Sequence, residues 1–133
     1  MRSVIDASAL WEYLSGSELG ASVGDLMGDD VPMHMPDLCA VEVLNAVRGH
    51  VLARHLSPRL AQLAIAELAE FPAEVHPTDP LLDRIWELRN NFTAYDATYV
   101  ALSEALDAQL ITTDARLARA TKRASQIDVV VAR

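Results

Sequence analysis

Four acidic residues stand in apolar surroundings where a lone carboxylate is costly. They are Asp6 in Val4-Ile5-Asp6-Ala7-Ser8, Glu42 in Cys39-Ala40-Val41-Glu42-Val43-Leu44, Asp96 in Thr93-Ala94-Tyr95-Asp96-Ala97, and Asp114 in Leu110-Ile111-Thr112-Thr113-Asp114. An isolated ionised carboxylate taken out of water either neutralises or finds a cation. Four that meet in space need a divalent metal, and a carboxylate-held metal is the apparatus of assisted phosphate-ester hydrolysis. Taken singly, each acid has a plainer explanation. Asp6 and Asp114 could be helix N-caps, Asp96 could answer the positive end of a helix dipole, and Glu42 could lie on a solvated face. Glu42 is the hardest to excuse, because Arg48, the next basic residue, is six positions on. One metal site accounts for all four together.

For the four to meet, the chain between them must supply a frame. Arg2–Ile5 reads as a short buried strand, followed by helices over Ser8–Leu14 and Glu18–Met27. Val31–Met35, closed by Pro36, reads as a second strand. Asp37 is placed to cap a long helix reaching about Leu56, and Ser57-Pro58 starts another. Leu60, Leu63, Ala64, Leu68 and Phe71 keep helical spacing in that one. Glu74–His76 is a brief strand, and Thr78 or Asp79 is placed to cap a helix carrying Leu81, Leu82, Ile85, Trp86 and Leu88. Tyr95–Asp107 is apolar nearly all round and therefore a central helix. Gln109–Thr112, Ala115–Lys122 and Asp128–Val131 follow as strand, helix and strand. Strands alternating with helices imply an α/β fold of three layers, α/β/α, around a central, mostly parallel sheet. The 133 residues suit one domain, residues 1–133, without repeat or linker.

That frame constrains the acids. Ligands of open α/β sheets bind beyond the carboxyl ends of the strands, where the next helices begin. Asp6 and Asp114 follow strands directly, Asp96 lies in a first helical turn, and Glu42 lies about one turn into its helix. If the strands are neighbours, all four share one sheet edge. Asn45, three residues after Glu42 on the same helical face, is placed to orient that carboxylate.

Other phosphate chemistries lack their residues. No glycine follows the first strand before Gly16, the only lysine is Lys122, and Ser8 stands where an Asp-x-Asp pair would need its second acid. Ser8 as a covalent nucleophile lacks a nearby base, since no histidine precedes His34. His34, His50, His55 and His76 form no ligand group by spacing. One cysteine, Cys39, permits no internal disulfide. With 51% hydrophobic residues, no long apolar run and an acid at position 6 where a leader peptide keeps its apolar core, the sequence reads as globular and cytoplasmic, with no membrane segment. The formal net charge of −8 argues against binding nucleic acid through an overall field. The exception is residues 111–133, where five Lys/Arg face two Asp/Glu.

Asp6 in Val-Ile-Asp-Ala-Ser-Ala-Leu, Glu42 and Asn45 in Val-Glu-Val-Leu-Asn-Ala-Val-Arg, Asp96 in Tyr-Asp-Ala-Thr-Tyr-Val-Ala-Leu, and Asp114 in Ile-Thr-Thr-Asp-Ala-Arg-Leu together resemble a PIN domain of the VapC toxin type. Each motif alone is weak; the ordered set spans the whole chain and is specific. The resemblance implies an endoribonuclease dependent on Mg²⁺ or Mn²⁺, with Asp6, Glu42, Asp96 and Asp114 around the metal. It implies Ser8, Asn45 and Thr112 as supporting polar residues, a homodimer, and a small VapB-like antitoxin protein that occludes the site. Some members carry a further acid just after the last one, where Leu117 and Ala118 stand here, so one metal or two is left open.

Oxygen ligands suit Mg²⁺, which keeps waters and phosphate oxygens in its shell. Asp96 or Glu42 would serve as general base, and the expected products carry 5′-phosphate and 3′-hydroxyl ends. Arg116, Arg119, Lys122 and Arg123 recur on one helical face beginning just after Asp114, either a solvated face or a contact for RNA phosphates. With few aromatics, recognition of the target, tRNA or rRNA, would rest on shape rather than stacking. Two other functions stay open: an RNA-processing nuclease of the same fold without antitoxin, and a catalytically silent interaction module gripping a partner through Trp11 and Leu14.

Overall fold

The central strand explains the rest of the architecture. In the computed structural model, which describes residues 1–29 and 32–133, β1 (Ser3–Ile5) is buried along its whole length. Three residues can be buried so completely only with a strand on each side and helices on both faces. Its neighbours are β2 (Met33–Pro36) and β4 (Gln109–Thr112), paired parallel with Val4 opposite His34 on one side and Val4 opposite Leu110 on the other. β3 (Ala73–His76) and β5 (Val129–Val131) complete a five-stranded sheet in the order β3-β2-β1-β4-β5, with parallel pairing throughout. The chain therefore builds outward from β1 to one side and returns to build on the other. The reversal falls between β1 and β4, the switch point where α/β sheets bind ligands.

Helices α1 (Ala7–Ser15), α2 (Glu18–Met27), α3 (Leu38–Leu52), α4 (Pro58–Glu70), α5 (Leu82–Glu87), α6 (Ala94–Leu106) and α7 (Ala115–Ala124) connect the strands. α6 is the central one: Ala97 to Ser103 are buried without a break. Its interior hydroxyls are satisfied by its own backbone, Thr98 donating to the Ala94 carbonyl and Ser103 to that of Tyr99. The α1–α2 hairpin is drawn tight at Gly20, where a Cβ would lie 2.1 Å from the backbone oxygen of Glu12. No helix among the described residues is long and apolar enough to cross a membrane.

Several local expectations change. Asp30 and Val31 lie outside the described residues; of the expected strand Val31–Met35 the structure shows Met33 onward as strand, with Pro32 in a bend before it, and the strand runs one residue further, through Pro36. α3 stops at Leu52, short of Leu56, because Arg54 turns the chain with a left-handed φ of 62°. Asp37 makes no side-chain cap; its carboxylate accepts from the Thr78 hydroxyl at 2.7 Å. Thr78 is thereby taken from its own expected capping role, and a short 3₁₀ turn, Asp79–Leu81, precedes α5. Trp11 and Leu14 are half-buried against the core, and Trp11 stacks on His50 at 5.2 Å between ring centroids. They offer no exposed grip for a partner.

Candidate active site

The backbone N–H of Asp6 donates to the Ile111 carbonyl at 3.1 Å. This last ladder bond sets Asp6 beside Thr112 at the switch point, and Thr112 donates its hydroxyl to Oδ2 of Asp6. Oδ1 of Asp6 accepts from the Ser8 hydroxyl at 2.7 Å and from the Ala9 N–H at 2.9 Å, the second being the N-cap bond of α1. Asp6 is only 5% exposed. Burial pushes its carboxyl above the ordinary range, the three hydrogen bonds pull it back, and the Asp114 charge adds to the rise.

Asp114 repeats the arrangement one strand over. Its Oδ1 accepts from the N–H groups of Arg116 and Leu117 at 2.9 and 3.3 Å, capping α7. Its own N–H donates to Thr112 Oγ1 at 3.0 Å. One hydroxyl thus ties the two acids, giving its proton to Asp6 and receiving one from the Asp114 backbone.

The other two acids come from helices. Asp96 lies in the first turn of α6, which Thr93 caps by accepting the Asp96 N–H at 3.1 Å. Burial raises its carboxyl, the Asp114 charge adds to that, and Arg116 and Thr93 oppose it. Glu42 is half-buried on α3, and Oε1 accepts from the Tyr99 hydroxyl at 2.6 Å. Burial raises Glu42 as well; Tyr99 lowers it, and the charges of Asp96 and Asp6 raise it further. The repulsions close a ring: Asp6 with Asp114, Asp114 with Asp96, Asp96 with Glu42, Glu42 with Asp6.

The supporting residues divide. Ser8 and Thr112 sit inside the hydrogen-bond network. Asn45 is exposed and makes no hydrogen bond to Glu42; it shares a cleft with Glu42, Leu38, Val41 and Tyr95. Orientation of Glu42 comes from Tyr99 instead, a residue sequence reasoning missed. Its one local signal is its position three residues after Asp96, on the same helical face. The basic strip divides too. Arg116 and Arg123, a near-integral two turns apart, line a groove with Asp96, Asp114 and Arg89, whereas Arg119 and Lys122 are exposed outside that lining. Arg89 was missed because it follows α5, far from the strip in sequence; its guanidinium lies 4.6 Å from the ring centre of Trp86. The expectation that the histidines form no ligand group fails for His34 and His76, which approach to 3.0 Å between ring nitrogens.

The donor set is of the kind a hard divalent cation takes. It consists of carboxylates, no Lys or Arg among the described residues pairs with Asp6 or Glu42, and Arg116 reaches Asp114 only at 3.9 Å. Such mutual repulsion in a half-dry site is a cost that a cation removes.

Residues 3–123 match the family model of the PIN domain. The chain is 37% identical over 128 residues to ribonuclease VapC1 of Mycobacterium tuberculosis, covering 96% of each chain, and 34% identical to ribonuclease VapC12 of the same organism, covering 96% of this chain and 98% of that one. Among solved structures it resembles PAE2754 from Pyrobaculum aerophilum, with a TM-score of 0.67, 20% identity and coverage of 97% and 83%. It also resembles Mycobacterium tuberculosis VapC20, a sarcin-ricin loop cleaving toxin, with a TM-score of 0.66, 18% identity and coverage of 89% and 94%. The chain belongs to the PIN-domain family, among its VapC ribonucleases.

Proposed function

We propose that this chain is the toxin of a toxin–antitoxin pair, a metal-dependent endoribonuclease whose centre is Asp6, Glu42, Asp96 and Asp114. The observation that carries the reading is the meeting of these acids at the switch point of the sheet, where Thr112 ties Asp6 to Asp114 and the charges of Asp96 and Glu42 are felt beside them. A bound Mg²⁺ or Mn²⁺ supplies neutralisation of the phosphodiester charge and acidifies water at neutral pH.

The chain's own groups have separate tasks. Asp6 is held on both oxygens by Thr112, Ser8 and Ala9, so its carboxylate is fixed in orientation. Glu42 is held through Oε1 alone, and its raised carboxyl suits it to receive the proton of the attacking water. The groove of Arg89, Arg116 and Arg123 receives RNA phosphates beside Asp96 and Asp114. The cleft of Leu38, Val41 and Tyr95 against Glu42 and Asn45 gives an antitoxin segment apolar anchors next to the acids it occludes. Exposed Leu60 and Leu63, one turn apart on α4, give a second copy an apolar strip for a homodimer.

The test is cleavage of total RNA by purified protein with Mg²⁺, Mn²⁺ or EDTA, with end mapping of the products. The expected result is metal-dependent cleavage leaving 5′-phosphates, abolished in Asp6→Asn and Asp96→Asn. Undiminished cleavage by either variant refutes the site. Growth arrest on expression, relieved by a small protein encoded alongside, separates the toxin from a processing nuclease of the same fold.

A further inference from the structure

A second group of donors lies on the far wing of the sheet. β2 and β3 run parallel with His34 opposite Glu74 and Pro36 opposite His76. Glu74 and His76 are two residues apart on β3 and so project from one face, the face that His34 shares through its pairing with Glu74. Nδ1 of His34 lies 3.0 Å from Nε2 of His76 and 3.2 Å from Oε2 of Glu74. One ligand atom from each of the three lies within 4.8 Å of the other two.

Protons alone satisfy this arrangement poorly. A proton on His34 Nδ1 must be shared between a carboxylate and an imidazole lone pair. A proton on His76 Nε2 directs His34 Nδ1 to accept, and leaves its lone pair facing the Glu74 carboxylate. Protons on both facing nitrogens collide. A cation satisfies all three donors at once. Ligand atoms about 2.0–2.1 Å from a tetrahedral ion stand about 3.3–3.4 Å apart, within a few tenths of an ångström of the two spacings from His34 Nδ1.

We propose that His34 through Nδ1, His76 through Nε2 and Glu74 through Oε2 form a second metal site, for one divalent ion of the zinc class. Two imidazoles and a carboxylate with one open position are a donor set zinc takes readily. Imidazole nitrogen also prefers zinc, nickel or copper to magnesium, so this site and the oxygen-only acid ring select different ions. The ion would staple β3, an edge strand whose one partner is β2, to the body of the sheet.

The test uses the full untagged chain, stripped with EDTA and dialysed against micromolar Zn²⁺ in millimolar Mg²⁺. Bound zinc is counted by atomic absorption, and Co²⁺ taken up in its place is read by its visible bands. The expected result is one zinc per chain, four-coordinate cobalt bands and a higher melting temperature with zinc. In His76→Ala all three are lost, and Glu74→Gln binds at least about tenfold more weakly. Both positions are open enough to solvent to change without unfolding the chain, which equal melting temperatures of the metal-free proteins verify. Asp96→Asn keeps the zinc. Three results overturn the proposal: no zinc retained by the parent against Mg²⁺, parental zinc retained by His76→Ala, or zinc lost in Asp96→Asn, which would place it at the acid ring.

Discussion

Replacing Asp6 separates its two physical roles, because asparagine and alanine remove different parts of it. Asparagine keeps a carbonyl oxygen at the Oδ1 position, so the bonds from Ser8 and from the α1 cap N–H at Ala9 survive. Its amide nitrogen takes the place of Oδ2 and donates to a free lone pair of Thr112 Oγ1, whose own proton turns to Ser8 Oγ 3.4 Å away. What asparagine removes is the buried charge. Since burial holds the folded-state Asp6 carboxyl above its ordinary 3.8, the ionised form costs stability at neutral pH, and Asp6→Asn is expected to be at least as stable as the parent in EDTA. Alanine removes the acceptor altogether. It loses a cap worth about 1 kcal/mol and leaves the part-buried Ser8 hydroxyl without the Oδ1 acceptor that asparagine keeps, for about 1–3 kcal/mol more. Asp6→Ala should therefore melt about 8–16 °C below Asp6→Asn, at roughly 4 °C per kcal/mol for a chain of this size. Magnesium at tenfold above its dissociation constant adds about 1.4 kcal/mol to the parent and much less to either variant. The sign with pH follows from the raised carboxyls of Asp6, Glu42 and Asp96: their folded pKa values exceed the unfolded ones, so the contribution of these three to metal-free stability rises as pH falls from neutral through the folded values, opposed by the lowered Glu104. It levels off below the ordinary 3.8–4.5. Melting curves in EDTA and in Mg²⁺, at neutral and mildly acidic pH, check each step. An Asp6→Asn protein less stable than the parent in EDTA at neutral pH, yet gaining as much from Mg²⁺, refutes the reasoning.

Tyr99→Phe leaves the α6 packing in place and removes the donor to Glu42, and a lost outer hydrogen bond of this kind should weaken Mg²⁺ binding about tenfold; calorimetric titration of the ion reads it. Gly20→Ala pushes a methyl into the Glu12 carbonyl and should cost about 1–3 kcal/mol. Gly24→Ala, whose Cβ would meet only the Tyr13 ring at 3.4 Å, should be neutral or gain up to about 1 kcal/mol in helix propensity; denaturant midpoints decide both. Arg116→Glu with Arg123→Glu should weaken RNA binding and reduce the slope of log affinity against log salt by about 2, whereas Arg119→Glu with Lys122→Glu should change the slope by less. Equal slopes for the two pairs would mean that the groove is not the phosphate path.

What was legible in the sequence follows the range of the interactions. The strand–acid junctions at Asp6 and Asp114 are legible because a β-branched run ending in a carboxylate is a local pattern, and the sheet then brings the junctions together through pairing of adjacent strands. Tyr99 holding Glu42 spans 57 residues, and Thr78 drawing Asp37 from its expected cap spans 41. No local rule sees either. His34 and His76 look unrelated along the chain and become neighbours only once the register of β2 and β3 is known. The end of α3 is hidden for another reason, since Arg54 adopts a left-handed φ where the sequence offers neither glycine nor asparagine.

The cap explanation of the acids and the metal explanation are not rivals in this fold. Asp6 caps α1, Asp114 caps α7, and Asp96 stands in the first turn of α6. Three of the four carboxylates therefore meet the positive end of a helix, each such placement being worth about 0.3–1 kcal/mol. That offsets part of the mutual repulsion which would otherwise open the metal-free site. Glu42 has no helix start beneath it and depends on the Tyr99 hydroxyl in its place. Capping also fixes the carboxylates. Both cap bonds of Asp114 fall on Oδ1, so its orientation is set by backbone before any ligand arrives. Switch-point topology, which starts helices wherever strands end, thus orients these acids through the same bonds that cap the helices, and the proposed metal centre draws on that arrangement.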